Sequence, residues 1–149
     1  QCELLDESKL ITLGDEAILL MHGDSLCTDD VEYMKARFLL RNEQFQSQLL
    51  AKPIPERLEF AKKIRSESKE SQKGKSYEIM DVNQQAVDKA LSEANCATLI
   101  HGHTHRPNIH HWEFEGEKRT RYVLGDWGDK GWFIKWQAGE ALKLESFDL

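Results

Sequence analysis

Apolar positions fall in short blocks along this chain, and their spacing changes character three times. Leu10-Ile-Thr-Leu13 and Ala17-Ile-Leu-Leu-Met-His22, separated by Gly14-Asp15-Glu16, predict a hairpin or two adjacent strands. The second block has no polar face, as expected of a central strand. It ends in His22-Gly23-Asp24, where strand gives way to loop and functional side chains are commonly displayed. From Asp30 the pattern turns helical, with Val31, Met34, Phe38, Phe45 and Leu49 on one face and Asp29 or Asp30 as cap. Lys52-Pro-Ile-Pro-Glu56 breaks that helix, and Pro55 opens a short second one carrying Leu58, Ala61 and Ile64. Residues 66–76 are polar throughout and predict a loop or frayed end. Asp81-Val-Asn-Gln84 resembles a capping box ahead of a third helix with Val82, Ala86, Val87, Ala90 and Leu91 as its stripe, closed by Asn95.

Ala97-Thr-Leu-Ile-His101 is a second buried strand, and helices between two such strands imply a crossover joining parallel partners. Past Pro107 the alternation is that of strands, at 109–114, 119–124, 132–136 and 142–147, and predicts an antiparallel meander. The whole reads as an α/β sandwich.

Composition narrows the class. The 149 residues carry a net charge of −6 and are 40% hydrophobic and 31% charged, so the chain can bury a core. The longest apolar run, 17–21, falls far short of the roughly 20 residues that span a bilayer. The opening QCELLDESKL holds three acids and one lysine, unlike a signal peptide. Cys2, Cys27 and Cys96 form no CxxC pattern, and reduced thiols in a cytoplasm are expected. Net acidity speaks against general nucleic-acid binding. It conceals a split, however: residues 31–75 hold eleven Lys and Arg against six Glu, a net of +5, and the other 104 residues hold nine against twenty, a net of −11.

Candidate chemistry lies in the histidines. Five of six fall between 101 and 111, and His101, His103 and His105 alternate in His-Gly-His-Thr-His. On an extended segment, side chains at i and i+2 point the same way, so two imidazoles could serve one ion or a close pair. Gly102 is expected to permit a tight turn after the strand. Adjacent parallel strands end on one rim, where His22 could meet His103 and His105. A surface histidine run, or polar residues at a sheet edge, is the alternative. His101, at the strand end, is expected to be structural or to support the ligands. Asp24 could orient His22 or cap a turn, Arg106 could steady a phosphate or shape its turn, and the tryptophans suit a sheet core or rim.

Gly-His-Thr-His at 102–105, with His22-Gly23 ahead of it, resembles the closing motifs of the calcineurin-like metallophosphoesterases. His-Gly-Asp-Ser-Leu-Cys-Thr-Asp-Asp at 22–30, Ile-Met-Asp-Val-Asn-Gln at 79–84, Leu-Ile-His-Gly-His-Thr-His-Arg-Pro at 99–107 and Val-Leu-Gly-Asp-Trp at 123–127 narrow the resemblance. They are similar to the branch that cleaves the diphosphate of UDP-2,3-diacylglucosamine in lipid A biosynthesis of Gram-negative bacteria. The resemblance implies an αββα sandwich with two Mn2+ ions, a helical lid inserted at 31–75, and a C-terminal antiparallel meander. His22 and His103 would bind one ion and His105 the other. A metal-bridged hydroxide would attack the α-phosphorus, giving UMP and 2,3-diacylglucosamine 1-phosphate. Substrate contacts carry over to Asp30, Ser68, Lys75 and His103, and to Gln72 where the family usually has Asn.

The same resemblance implies that the lid's basic and apolar faces take an anionic lipid, with the enzyme cytoplasmic and peripheral on the inner membrane, and binding no nucleic acid. The superfamily's earlier Asp-x-His, bridging Gly-Asp and Gly-Asn-Arg-Asp or Gly-Asn-His-Asp motifs have no counterpart in order here. Residues 1–149 are therefore expected to be the C-terminal portion of a longer, single-domain enzyme, incomplete by itself. A general dinuclear-metal phosphodiesterase and a metal-free scaffold of the same fold remain as alternatives.

Overall fold

The computed structural model describes residues 3–149; Cys2 and the side chain of Gln72 lie outside the described residues. Its contacts divide the chain into two compact units, one made of residues 1–27 and 82–149, the other of residues 28–81.

The first unit is built on a five-stranded mixed sheet. Strands β1 (Ser8–Leu13) and β2 (Glu16–Met21) form the expected hairpin, and β2 runs parallel to β3 (Thr98–His101). Next in space comes β5 (Glu117–Val123), parallel to β3, with β4 (Asn108–Phe114) antiparallel at the edge. The order is thus β1-β2-β3-β5-β4. Strands β6 (Lys130–Lys135) and β7 (Lys143–Asp148) pair only with each other, as a second sheet. The C-terminal strands are therefore two hairpins in two sheets and not one meander. Hairpin alternation looks the same in both cases, and β5 is captured by β3 because its inner residues are buried on both faces.

The period-2 pleat sorts those faces. Ile18, Ile100 and Tyr122 form one core with Leu142, against which Leu20, Ile109, Ile134 and Leu144 pack, so the small sheet covers this face. Leu99, His101, Arg119, Arg121 and Val123 alternate with that set and are buried as well. Helix α4 (Gln84–Glu93) adjoins this second face and buries Val87, Asp88 and Leu91, spaced by one helical turn.

Caps set the limits of α4. Asn83, not Asp81, is the N-cap: its side chain accepts from Ala86 N at 3.0 Å. Its own N–H is already spent on Leu26 O at 2.8 Å, and Val82 is buried, which holds this stretch extended and keeps the helix from starting earlier. At the other end Asn95 takes φ 51°, and Cys96 N and Asn95 N bond back to Leu91 O and Ser92 O. This paired closure satisfies two orphan carbonyls.

A buried polar knot fastens α4 to the edge of the sheet. Arg119 donates to Asp88 O at 2.8 Å, to Asp88 Oδ1 at 3.1 Å and to Ser92 Oγ at 2.7 Å, and Trp112 Nε1 donates to Asp88 Oδ1 at 2.9 Å. The Arg119 guanidinium also sits 4.3 Å from the Phe114 ring centre.

The second unit consists of α1 (Val31–Leu40), α2 (Glu43–Leu50) and α3 (Ile54–Gln72). The single helix expected over 31–49 is two, because Asn42 leaves the helical region and caps α2 by accepting from Phe45 N at 2.9 Å. Pro55 lies in the first turn of α3, which runs well beyond the short helix expected and takes in most of the polar stretch 66–76. Lys, Glu and Gln are good helix formers, and an i,i+4 pair such as Lys63 with Glu67 supports an exposed helix that has nothing to bury.

Replacing Asp88 with Ala leaves Arg119, whose side chain is 4% exposed, without its buried counter-charge. Unfolding in urea should show a loss of about 3–5 kcal/mol, and a smaller one for Asp88→Asn.

Candidate metal centre

The register that pairs Met21 with His101 and His101 with Val123 brings the carboxyl ends of β2, β3 and β5 to one rim. Two backbone bonds continue that alignment past the strands: Gly102 N–H donates to His22 O at 3.1 Å, and Leu124 N–H donates to His101 O at 2.8 Å. Side chains just beyond these ends gather at the rim as a matter of topology.

His22 and His103 do meet there, with ring centres 5.0 Å apart and planes inclined at 59°. His105 does not join them; its Nδ1 lies 3.8 Å from Asp126 Oδ2, beyond hydrogen-bond length. Alternation on an extended segment is not what pairs these rings. His103 and His105 have φ 64° and 54°, so the chain leaves β3 by a left-handed turn and each ring is aimed separately. Among the described residues no group of three or more His, Cys, Asp or Glu stands close enough to hold a metal ion. Two neutral imidazoles suit a divalent transition metal as part of its shell, with oxygen donors still to be supplied. The buried hydroxyl of Thr104, inside the same motif, has no hydrogen-bond partner among the described residues.

The turn that displays His22 depends on Gly23, whereas Gly102, expected to permit a tight turn after β3, is uncrowded. A β-carbon on Gly102 would find only His22 O, at 3.9 Å. One on Gly23 would lie 2.7 Å from His101 Nδ1 and 3.2 Å from Gly102 O, and Gly23 has φ 105°. His101 is structural, as anticipated. It is 1% exposed, its Nδ1 faces Gly102 O at 2.9 Å, and its Nε2 accepts from Arg121 at 3.3 Å. With a carbonyl on one nitrogen and a guanidinium on the other, the ring is the Nδ1–H tautomer. Asp24 is 3% exposed and its Oδ1 lies 3.0 Å from His22 Nδ1.

In the helical unit, Asp30, Ser68 and Lys75, far apart in sequence, line one cavity of about 220 Å3 together with Tyr33, Ala36 and Ile64. Asp30 caps α1 by accepting from Tyr33 N at 3.0 Å, and Lys75 Nζ donates to both its oxygens, at 2.6 and 2.8 Å. Gln72 ends α3, and its side chain is outside the described residues. A second, more apolar groove of about 680 Å3 is lined by Leu40, Leu49, Leu58, Phe60 and Ile64 with Arg57 and Arg65 at its margin.

Asp126 was not foreseen as a neighbour of the histidines; its position just past a strand that ends beside β3 was the available signal. Cys27 and Cys96 are both free thiols. Burial pushes the Cys96 thiol above its ordinary value, with its bonds to Thr98 and Leu19 backbone pulling weakly the other way. Trp112 bonds to Asp88 and Trp127 Nε1 donates to Trp132 O at 3.0 Å, so these two tryptophans hold the framework.

The fold and rim together define an α/β protein with a histidine pair at the carboxyl ends of parallel strands. Three of its sequence relatives carry one name. The chain is 46% identical over 145 residues to UDP-2,3-diacylglucosamine hydrolase of Chromohalobacter salexigens, covering 97% of this chain and 59% of that one. It is 48% identical over 134 residues to the same enzyme of Pseudomonas entomophila (90% and 56%), and 46% identical over 153 to that of Bordetella pertussis (98% and 58%). The chain is thus a close relative of these hydrolases over nearly all its own length, and spans under three fifths of theirs. No family model matches it. Among solved structures, a Vps29 single mutant from Entamoeba histolytica covers all of this chain and 64% of its own at 15% identity, with a TM-score of 0.41, too slight a likeness to define the fold.

Gly23→Ala should lower stability by about 1–3 kcal/mol, since it meets both the strain of its φ and the His101 ring. In the same variant the imidazole NMR signals of His22 and His103 should move. Cys96 should alkylate more slowly than a free cysteine at neutral pH, with a rate that keeps rising above the ordinary thiol range; a rate already at its plateau near pH 8 would contradict the assigned burial.

Proposed function

We propose that the protein represented by this chain hydrolyses the diphosphate bond of UDP-2,3-diacylglucosamine to UMP and 2,3-diacylglucosamine 1-phosphate. The observation that carries this reading is the identity of 46–48%, over nearly the whole chain, to hydrolases of that name, at a rim where His22 and His103 meet. The same identity favours this substrate over simple nucleotide diesters. Divalent ions, taken as two Mn2+ from the family resemblance, would neutralise phosphoryl charge and acidify water when bound. His22 and His103 are the proposed ligands of one ion and His105 of the other. The remaining oxygen donors are assigned to a part of the relatives that this chain does not span, within an αββα sandwich. On that reading the chain is their C-terminal portion and is inactive alone.

The helical unit is proposed as a substrate lid. Asp30, Ser68 and Lys75 would hold polar groups of the substrate at their shared cavity, and Gln72 and His103 are proposed as further substrate contacts. The apolar groove suits acyl chains, and the exposed Phe38, Leu39 and Leu50 within a segment of net charge +5 suit an anionic leaflet. On this proposal the enzyme works in the cytoplasm, peripherally on the inner membrane. No helix among the described residues is long and apolar enough to cross it.

Protein made from the full reading frame should release UMP from the acylated UDP-sugar only when Mn2+ is present. His103→Ala should cost more than the roughly 10- to 100-fold typical of a lost supporting residue. Failure to release UMP, or faster turnover of a simple nucleotide diester, would overturn the assignment.

A further inference from the structure

Three side chains around the rim could bear on the histidine pair without belonging to it: Asp24, Asp126 and Arg121. Arg121 donates to His101 at 3.3 Å and acts on the core of the sheet. Asp126 and His105 are 62% and 60% exposed at 3.8 Å, a distance and a wetness that fix neither. Asp24 differs on both counts. Its side chain is 5% exposed, and its Oδ1 is 3.0 Å from Nδ1 of His22, a ring that is itself 57% exposed.

We infer that Asp24 is a positioning residue: it accepts the Nδ1 proton of His22, which fixes the Nδ1–H tautomer and turns Nε2 outward as the lone-pair donor. The argument rests first on chemistry. A carboxylate has only acceptors to offer, so the imidazole nitrogen facing it must carry the proton, and in the neutral ring the other nitrogen must then be bare. An exposed imidazole without such a partner exchanges between tautomers and rotates about its side-chain bonds, and both freedoms weaken it as a ligand.

It rests next on how Asp24 is itself held. Asp24 begins the single turn of 3-10 helix Asp24–Leu26, whose carbonyls at Gly23 and Asp24 accept from Leu26 N at 3.1 Å and Cys27 N at 3.4 Å. Gly23, at φ 105°, is seated against the His101 ring with no room for a β-carbon, and His22 O is bonded to Gly102 N. The backbone on either side of Asp24 is therefore fixed by the sheet, and its carboxylate faces His22. His101 and His22, one strand apart, come out as the same tautomer by opposite routes: a backbone carbonyl sets one, a buried carboxylate the other.

This inference deepens the metal reading of the site and rests on it for its purpose, but its test does not. Long-range 15N–1H correlation spectra of the metal-free chain report the tautomer of each histidine. His22 should show protonated Nδ1 and bare Nε2 in the wild type, and a mixture of tautomers in Asp24→Ala, with Asp24→Asn restoring most of the wild-type pattern through its remaining carbonyl. Amide spectra of the variants establish that each is folded. The wild-type spectrum needs no variant at all: His22 protonated at Nε2 overturns the inference, as does a tautomer unchanged in a folded Asp24→Ala. Titration of protein made from the full reading frame with Mn2+ alone then reads the other question. Paramagnetic broadening at His22 and His103 should need roughly 10- to 100-fold more Mn2+ in Asp24→Ala. A Nδ1–H tautomer with no broadening in the wild type at any concentration overturns the metal reading while leaving the Asp24 contact in place.

Discussion

Parallel pairing of β2 with β3, in the register that sets Met21 beside His101, is the constraint on which the rest of this structure depends. Parallel strands share their carboxyl ends, so whatever follows Met21 and whatever follows His101 must emerge side by side. The bond from Gly102 N to His22 O extends the pairing one residue beyond the strands and brings the two turns into contact. A shift of one residue would send Leu19, Leu99 and Arg121 to the opposite face and part the two histidines. Burial on both faces prevents such a slip: Ile18 and Ile100 face the small sheet while Leu99 and His101 face the side of α4.

The polar groups buried along this register are paired in a graded way. At the lower edge, Arg119, Asp88, Trp112 and Ser92 close a charge-paired network that ties helix to sheet. In the middle, Arg121 and His101 exchange a single bond. At the upper rim, Asp24 and His22 stand at the boundary with solvent, one buried and one open. The same types of side chain hold structure where they are enclosed and present a lone pair where they reach water.

Much of this was legible in the chain. The apolar runs at 17–21 and 97–100 marked the central strands, their helical interval implied the parallel crossover, and the alternating histidines after the second strand marked the rim. Asp30, one of two candidate caps, and Asn95 as a helix stop were readable because each solves a local hydrogen-bonding problem. The misreadings were failures of locality. Asp81 fits a capping box, yet the bond from Asn83 to Leu26, far off in sequence, delays the helix by two residues. His-Gly-His-Thr-His looks extended, yet His103 and His105 turn left-handed once the strand ends. Gly102 was expected to avoid a clash in the turn after its strand, whereas the crowding is at Gly23, against a ring from the neighbouring strand.

What the sequence determined by itself was the inventory and order of elements and the kind of chemistry its histidines can do, because periodicity, caps and side-chain donors are properties of neighbours in the chain. Tertiary structure alone decided which side chains meet. It joined His22 to His103 and left His105 beside Asp126; it gathered Asp30, Ser68 and Lys75 around one cavity; and it split four alternating strands between two sheets. These are contacts between residues tens of positions apart, and they follow from strand register and buried packing, which no local pattern contains.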